Sequence, residues 1–173
     1  LLLTLTLVIL GILFFLKIST VDFHPGWDES TYIGMGKYYL SLGDSGIVES
    51  LRPPVLPLIT GILWQLGNSV LLTRLLSVLF MLGIVLVGST LTSQLYDRRS
   101  GLLFALFASA SPLLLHFSTR ILTELPTAFF LLLGLLLYQK KQYSSAGVIF
   151  AIATLTKFPA GLSLLCLIGL WFL

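Results

Sequence analysis

Long runs without a charged residue dominate this sequence and limit what it can fold into. Hydrophobic residues make up 57% of the 173 residues and charged residues only 10%, whereas a soluble domain carries about 25% charge. Runs of about 17 to 25 apolar residues are long enough for a helix to cross a hydrocarbon core of about 30 Å. The sequence therefore predicts an integral membrane protein of the all-α class, a multi-span transmembrane helical bundle.

Six apolar runs are predicted as spans, at about residues 1–19, 71–95, 101–118, 121–138, 143–157 and 160–173. We expect the third and fourth to pack as a helical hairpin. The last two are short and are separated by Lys157-Phe158-Pro159, so they fit either two short helices or one kinked span. Because the sequence begins without methionine and ends within an apolar run, we expect residues 1–173 to be the N-terminal part of one longer transmembrane domain.

An outer segment at about 20–69 separates the first two spans. Pro25-Gly26 breaks the chain, and Asp28 opens a helical pattern that ends at Gly43. A second apolar stretch of about 13 residues is too short to span, and its Trp64 suits the headgroup zone. We therefore predict two juxtamembrane helices lying along the interface.

Two short basic connectors predict the sidedness of the chain. Asp97-Arg98-Arg99 and Lys140-Lys141 each lie between long uncharged runs, and positive charge near span ends is retained in the cytoplasm. The outer segment and the connector before Glu124 then lie on the opposite side, together with six of the seven acids. These are Asp22, Asp28, Glu29, Asp44, Glu49 and Glu124. Their asymmetry predicts a reaction site on the outer face.

Asp28 and Glu29 are the first candidates for chemistry. Adjacent side chains on a helix diverge by about 100°, so at most one of them addresses a given substrate atom. Asp28 fits two roles, that of a helix N-cap and that of a catalytic carboxylate. A divalent metal such as Mg²⁺ or Mn²⁺ can bind paired acids, but two ligands without a third are a weak signal, and we assign no metal site.

A second set of candidates lies near the predicted span ends. Glu124 follows Arg120 by four residues, so the two either form a local ion pair on one helix or serve a substrate. Charge within a span costs about 2.5 to 3.5 kcal/mol, which makes Arg74, Glu124 and Lys157 functional candidates. His24 and His116 are isolated and are interpreted as structural, and lone Cys166 as core filler.

Several short motifs occur in a characteristic order along the chain. The first three are Trp27-Asp28-Glu29-Ser30-Thr31-Tyr32, Arg52-Pro53-Pro54-Val55-Leu56-Pro57 and Thr73-Arg74-Leu75-Leu76-Ser77. They are followed by Tyr96-Asp97-Arg98-Arg99-Ser100-Gly101, Ser111-Pro112, Arg120-Ile121-Leu122-Thr123-Glu124 and Leu155-Thr156-Lys157-Phe158-Pro159-Ala160-Gly161. The first three resemble the first outer loop and second span of polyprenyl-phosphate-sugar-dependent glycosyltransferases of the GT-C superfamily, and the others resemble the same pattern. The nearest branch is the protein O-mannosyltransferase and aminoarabinose-transferase type, glycosyltransferase family 39, and the resemblance covers nearly the whole chain.

This resemblance implies a GT-C-like membrane enzyme that moves a sugar from dolichyl or undecaprenyl phosphate to a protein, lipid or glycan acceptor on the outer or lumenal face. Asp28 would be the general base of an inverting transfer, supported by Glu124. Cations would stabilise the departing phosphate. The donor-binding candidates are Arg52, Arg74 and Lys157, and the supporting residues are Glu29, Tyr32 and Arg120.

Two other classes remain as alternatives. Charges within spans and proline-broken helices also mark the substrate paths of secondary transporters. Transport sites cluster near the bilayer midplane, however, whereas the charges of this sequence gather at one interface. A non-catalytic membrane scaffold is the second alternative, and it would not require charge within the membrane.

Overall fold

The computed structural model describes residues 25–67 and 69–162, together with Ile12 and Leu165. Within these residues every regular element is a helix, as the sequence predicted. The predicted span at 1–19, most of that at 160–173, and the candidates Asp22, His24 and Cys166 lie outside the described residues. The helices are α1 (Trp27–Leu40), α2 (Val55–Gln65), α3 (Ser69–Leu95), α4 (Arg98–Ser109), α5 (Pro112–Ser118), α6 (Glu124–Gln139) and α7 (Tyr143–Thr156).

Helix α3 is the centre of the described bundle. Within it, Val70–Leu95 is the one helix of the described part that is long and apolar enough to cross a membrane alone. Buried side chains of α3, α4 and α6 form the main hydrophobic core, which includes Met81, Val85 and Leu125. Helices α2, α6 and α7 are apolar but shorter, so the division of the chain into spans stays a prediction.

The predicted span at 101–118 is not one straight helix. Helices α4 and α5 together satisfy the length and hydropathy of a span, but their axes differ by 59°. Ser111 between them is extended, with ψ of 116°, and its hydroxyl caps α5 by accepting from the Leu114 amide at 3.5 Å. Pro112 accounts for the break, because proline disfavours helical conformation in the residue before it.

The predicted hairpin of the third and fourth spans is wrong. Helix α6, the second arm of that hairpin, packs mainly against α3 and α7. Of the first arm, which consists of α4 and α5, it contacts chiefly the short α5. Glycines set these partners. A methyl group on Gly83 or Gly134 would lie 2.6 Å from the ring of Phe129 or Phe150, respectively, so each glycine leaves a notch that a ring on the facing helix fills.

The outer segment forms two helices near the predicted positions. Helices α1 and α2 touch at Gly36 and Gly61, where a methyl group on Gly36 would lie 2.5 Å from the Gly61 nitrogen. The buried Thr60 hydroxyl donates to the Tyr32 carbonyl at 2.8 Å and joins the same two helices. The outer segment is therefore a packed unit, and its position at the membrane interface stays a prediction.

Candidate active site at one end of the bundle

The start of α1 fixes the position of both predicted acids. Gly26 is the N-cap, with extended backbone, and its amide donates to Glu29 Oε2 at 2.7 Å, which is one half of a capping box. Of the two roles considered for Asp28, that of the N-cap is therefore wrong. The N-cap lies two residues before Asp28, which is the second residue of the helix.

Glu29 is the buried member of the acidic pair, with 2% of its side chain exposed. Its Oε1 accepts from the Ile121 amide at 2.7 Å, and its Oε2 also faces Arg74 Nη2 on α3 at 3.4 Å. A buried carboxylate is stable only when it is paired and hydrogen-bonded. Glu29 therefore joins α1, α3 and the connector before α6.

Arg74 is as buried as its partner, with 2% of its side chain exposed. The sequence assigned it to the donor phosphate. In this arrangement the Arg74 side chain faces the interior of the bundle and offers almost no surface to a ligand.

Asp28 points to a different side of α1, as the angular separation of adjacent helix residues predicts. Its side chain is 53% exposed, and its Oδ1 accepts from Arg52 Nη2 at 2.7 Å. Arg52 also donates through Nε to Glu49 at 2.9 Å and lies over the Tyr32 ring at 5.0 Å. Burial lowers the pKa of Arg52, but hydrogen bonds to Asp28, Tyr32 and Glu49 outweigh it, and the net pKa is raised.

Glu124 pairs with Lys157 and not with Arg120, so the predicted local ion pair is wrong. The distance from Lys157 Nζ to Glu124 Oε1 is 2.9 Å, and the two side chains are 41% and 35% exposed. Glu124 is the first residue of α6. Arg120 therefore lies in the non-helical connector, where the i to i+4 geometry of a helix does not exist.

Lys157 lies where α7 ends. Its backbone is extended, with φ of −152°, and a short helical turn begins again at Ala160. The structure therefore shows a break between the last two apolar runs at this lysine.

The Arg120 side chain lies beside the start of α1. A methyl group on Gly26 would be 3.6 Å from its Nη1, and the Ser77 hydroxyl fixes its backbone by donating to its carbonyl at 2.8 Å. The side chain is exposed. It forms no ion pair with any residue that the structure describes, unlike Arg52, Arg74 and Lys157.

These contacts gather the predicted site residues at one end of the bundle. The bond from Glu29 to Ile121 places the Asp28 cluster beside the connector that leads to Glu124 and Lys157. Sequence reasoning gave no site role to Glu49, although its position three residues before Arg52 was a signal for the pair. In the described part, no three His, Cys, Asp or Glu side chains are grouped to hold a metal ion.

The family comparison covers most of this site. A model of the dolichyl-phosphate-mannose-protein mannosyltransferase family matches residues 51–173, which include Arg52, Arg74, Arg120, Glu124 and Lys157. The chain belongs to this family. Its mannosyltransferases are integral membrane proteins that take the sugar from a polyprenyl phosphate and pass it in general to protein. Comparisons with curated proteins and with solved structures gave no significant match.

Membership confirms the resemblance read from the motifs and makes the chain a polyprenyl-phosphate-mannose-dependent glycosyltransferase in general terms. Asp28 and Glu29 precede the matched residues of this mannosyltransferase. Their roles therefore rest on geometry and chemistry alone.

Proposed function

We propose that the chain belongs to a multi-pass enzyme that transfers mannose or a related sugar from a polyprenyl phosphate to an acceptor hydroxyl. The transfer takes place on the outer or lumenal face and inverts the anomeric centre, with Asp28 as general base. The observation that carries this proposal is the exposed carboxylate of Asp28, held at the start of α1 beside a neighbour that is fully buried.

The difference between the two acids supports Asp28 as the base. Both oxygens of Glu29 accept hydrogen bonds within the bundle, so that side chain cannot reach a substrate. Asp28 uses one oxygen for Arg52 and exposes about half of its side chain. A general base contributes typically 10² to 10⁴ in rate. In this proposal Arg52 sets the direction of the Asp28 side chain.

The proposed step is a single displacement. The acceptor hydroxyl gives its proton to the Asp28 carboxylate as its oxygen forms a bond with the anomeric carbon. The bond from that carbon to the phosphate oxygen breaks on the opposite face, and its electron pair leaves with the polyprenyl phosphate. Because attack and departure occur on opposite faces, the configuration inverts. The phosphate gains negative charge, which nearby cations stabilise.

The cationic side chains fall into two groups according to their partners and their exposure. Arg52 is shared by two carboxylates, and Arg74 is buried against Glu29. In the proposal these two position the acids. Arg120, which is exposed, and Lys157, which is half-exposed, contact the donor phosphate. In the proposal Glu124, which is paired with Lys157, also faces the substrates and orients one of them.

The test uses the full-length protein in lipid vesicles with radiolabelled polyprenyl-phosphate mannose and a protein acceptor. We expect labelled glycoprotein whose anomeric configuration is opposite to that of the donor. Transfer with retained configuration would exclude the single displacement. A secondary transporter would move label across the vesicle membrane without forming a glycoside, and a scaffold would do neither.

A further inference from the structure

Two buried polar atoms in the first turn of α6 have no hydrogen-bond partner among the residues that the structure describes. They are Oε2 of Glu124 and the hydroxyl oxygen of Thr127. Thr127 is 7% exposed. Leaving such atoms unpartnered destabilises a folded protein, because they lose their hydrogen bonds to water and gain none in return.

The two residues lie on one face of one helix. Residues three apart on a helix share a face, and Glu124 and Thr127 span the first turn of α6. The threonine hydroxyl does not satisfy the carboxylate, since neither atom has a partner. A group that donates to Glu124 and accepts from Thr127 would satisfy both atoms. A hydroxyl group does both.

Lys157 adds a third polar group at this place. Its amino group donates to the other oxygen of Glu124 at 2.9 Å, and 41% of its side chain stays exposed. An ammonium has three donors, so Lys157 can reach a neighbouring oxygen of the same ligand. A carboxylate, a hydroxyl and an ammonium grouped in this way match a compound with adjacent hydroxyl groups.

The position of this cluster relates it to the proposed reaction. Glu124 follows Ile121 by three residues, and the Ile121 amide binds Glu29, the neighbour of Asp28. The acceptor hydroxyl that reacts must meet Asp28. In the proposed reaction the transferred sugar brings further hydroxyl groups, which do not react, to the same end of the bundle.

We propose that Glu124, Thr127 and Lys157 form a subsite for the non-reacting hydroxyl groups of the transferred hexose, and that Thr127 determines sugar specificity. Lys157, whose ammonium has three donors, then contacts both the sugar and the donor phosphate. This inference rests on the proposed function. It explains why a hydroxyl that weakens the fold is kept at a buried position of α6.

The first test is Thr127→Val, which keeps the shape of the side chain and removes the hydroxyl. Thermal stability should stay the same or rise, since an unpartnered buried hydroxyl is lost. The KM for polyprenyl-phosphate mannose should rise about tenfold, as expected for one lost hydrogen bond. The KM for the acceptor should not change, and Thr127→Ser should restore donor binding. The matched control is Thr90→Val on α3, whose hydroxyl already donates to the Leu86 carbonyl at 2.8 Å.

The second test identifies the hydroxyl group. Donors that lack one hydroxyl of the mannose are compared in wild-type and Thr127→Val protein. For one position of the sugar, the deoxy donor should bind to the wild type about tenfold more weakly than the parent donor does. In the variant, the deoxy donor and the parent donor should bind equally well. An equal penalty in both proteins at every position would overturn the inference and leave a bound water as the partner of Thr127.

The two hypotheses fail in different ways. Absence of transfer by the wild-type protein would contradict the proposed function. Donor affinity is measured directly on full-length protein in nanodiscs, independently of turnover. Unchanged affinity in Thr127→Val would overturn the subsite even in a fully active enzyme.

Discussion

The adjacent carboxylates of Asp28 and Glu29 at the start of α1 have different environments because the helix turns them to different sides. Asp28 is half-exposed, and Glu29 is buried against Arg74 and the Ile121 amide. In Asp28→Asn we expect transfer to fall by about 10² to 10⁴, because the base is lost. Its thermal unfolding in detergent should stay close to wild type, since the side chain is exposed and does not cap the helix.

Glu29→Gln is the neighbouring comparison. It removes the negative charge from the buried pair of Glu29 with Arg74, and breaking a buried pair typically destabilises by about 3–5 kcal/mol. We therefore expect a lower unfolding temperature, with loss of activity in proportion to loss of folded protein. Wild-type turnover by folded Asp28→Asn, together with an inactive but well-folded Glu29→Gln, would show that the base has been assigned to the wrong carboxylate.

Arg120 provides a test of the donor phosphate. In Arg120→Ala the KM for the donor should rise about 10- to 100-fold, the range expected for one lost hydrogen bond to a charged group. Arg120→Lys should recover part of this, because an ammonium cannot bind two phosphate oxygens at once. Arg99→Ala, at the predicted cytoplasmic connector, is the control. An unchanged donor KM in Arg120→Ala would remove Arg120 from the phosphate site.

At the scale of single residues, the sequence predicted part of the site. The divergence of Asp28 and Glu29 follows from helix geometry alone. The bond from the Gly26 amide to Glu29 also had a signal, since Glu29 follows Gly26 by three residues, but the N-cap role was considered for Asp28. The partner of Glu124 could not be predicted, because Lys157 is 33 residues away in sequence and reaches it only through the packing of α7 on α6.

Among the helices, the contacts of glycine with phenylalanine decide which elements pack together. Gly88 on α3 receives the ring of Phe104 from α4, just as Gly83 and Gly134 receive rings from their neighbours. In Gly88→Ala the added methyl group should clash with that ring and destabilise the protein by about 1–3 kcal/mol. The measurement is thermal or denaturant unfolding in detergent.

Gly147→Ala on α7 is the matched control, because no atom lies within 4 Å of the added methyl group. Alanine favours a helix over glycine by up to about 1 kcal/mol, so this change should be neutral or stabilising. The two substitutions are chemically identical and are expected to act with opposite sign. Equal effects would mean that helix propensity, and not the notch, decides stability.

The elements themselves were easier to predict than their partners. Apolar runs and breakers located the helices, and Pro112 carried the signal for the break between α4 and α5. The hairpin prediction failed because neighbouring runs in sequence were assumed to pack together. The choice of α3 and α7 as partners of α6 depends on notches at Gly83 and Gly134, which become visible only when rings and glycines are brought together in space.

For the whole molecule, the orientation of the chain in the membrane is the main prediction. Single cysteines at Ser100 and Gln142, in a background lacking Cys166, should be protected from an impermeant thiol reagent in intact cells, because Arg98-Arg99 and Lys140-Lys141 are retained inside. A cysteine at Ser45, which is exposed in the outer segment, should react. Labelling at residue 100 from outside would reverse the orientation and place the candidate site in the cytoplasm.

The bond from Glu29 to the Ile121 amide has a consequence for biosynthesis. The two residues are separated by 92 positions, so the ribosome makes Glu29 long before its partner exists. At about 5–20 residues per second this delay is roughly 5–18 s. During that time α1 can pack against α2, but Glu29 cannot form this bond. The nascent chain therefore holds the Glu29 carboxylate without its amide partner until the connector before α6 arrives.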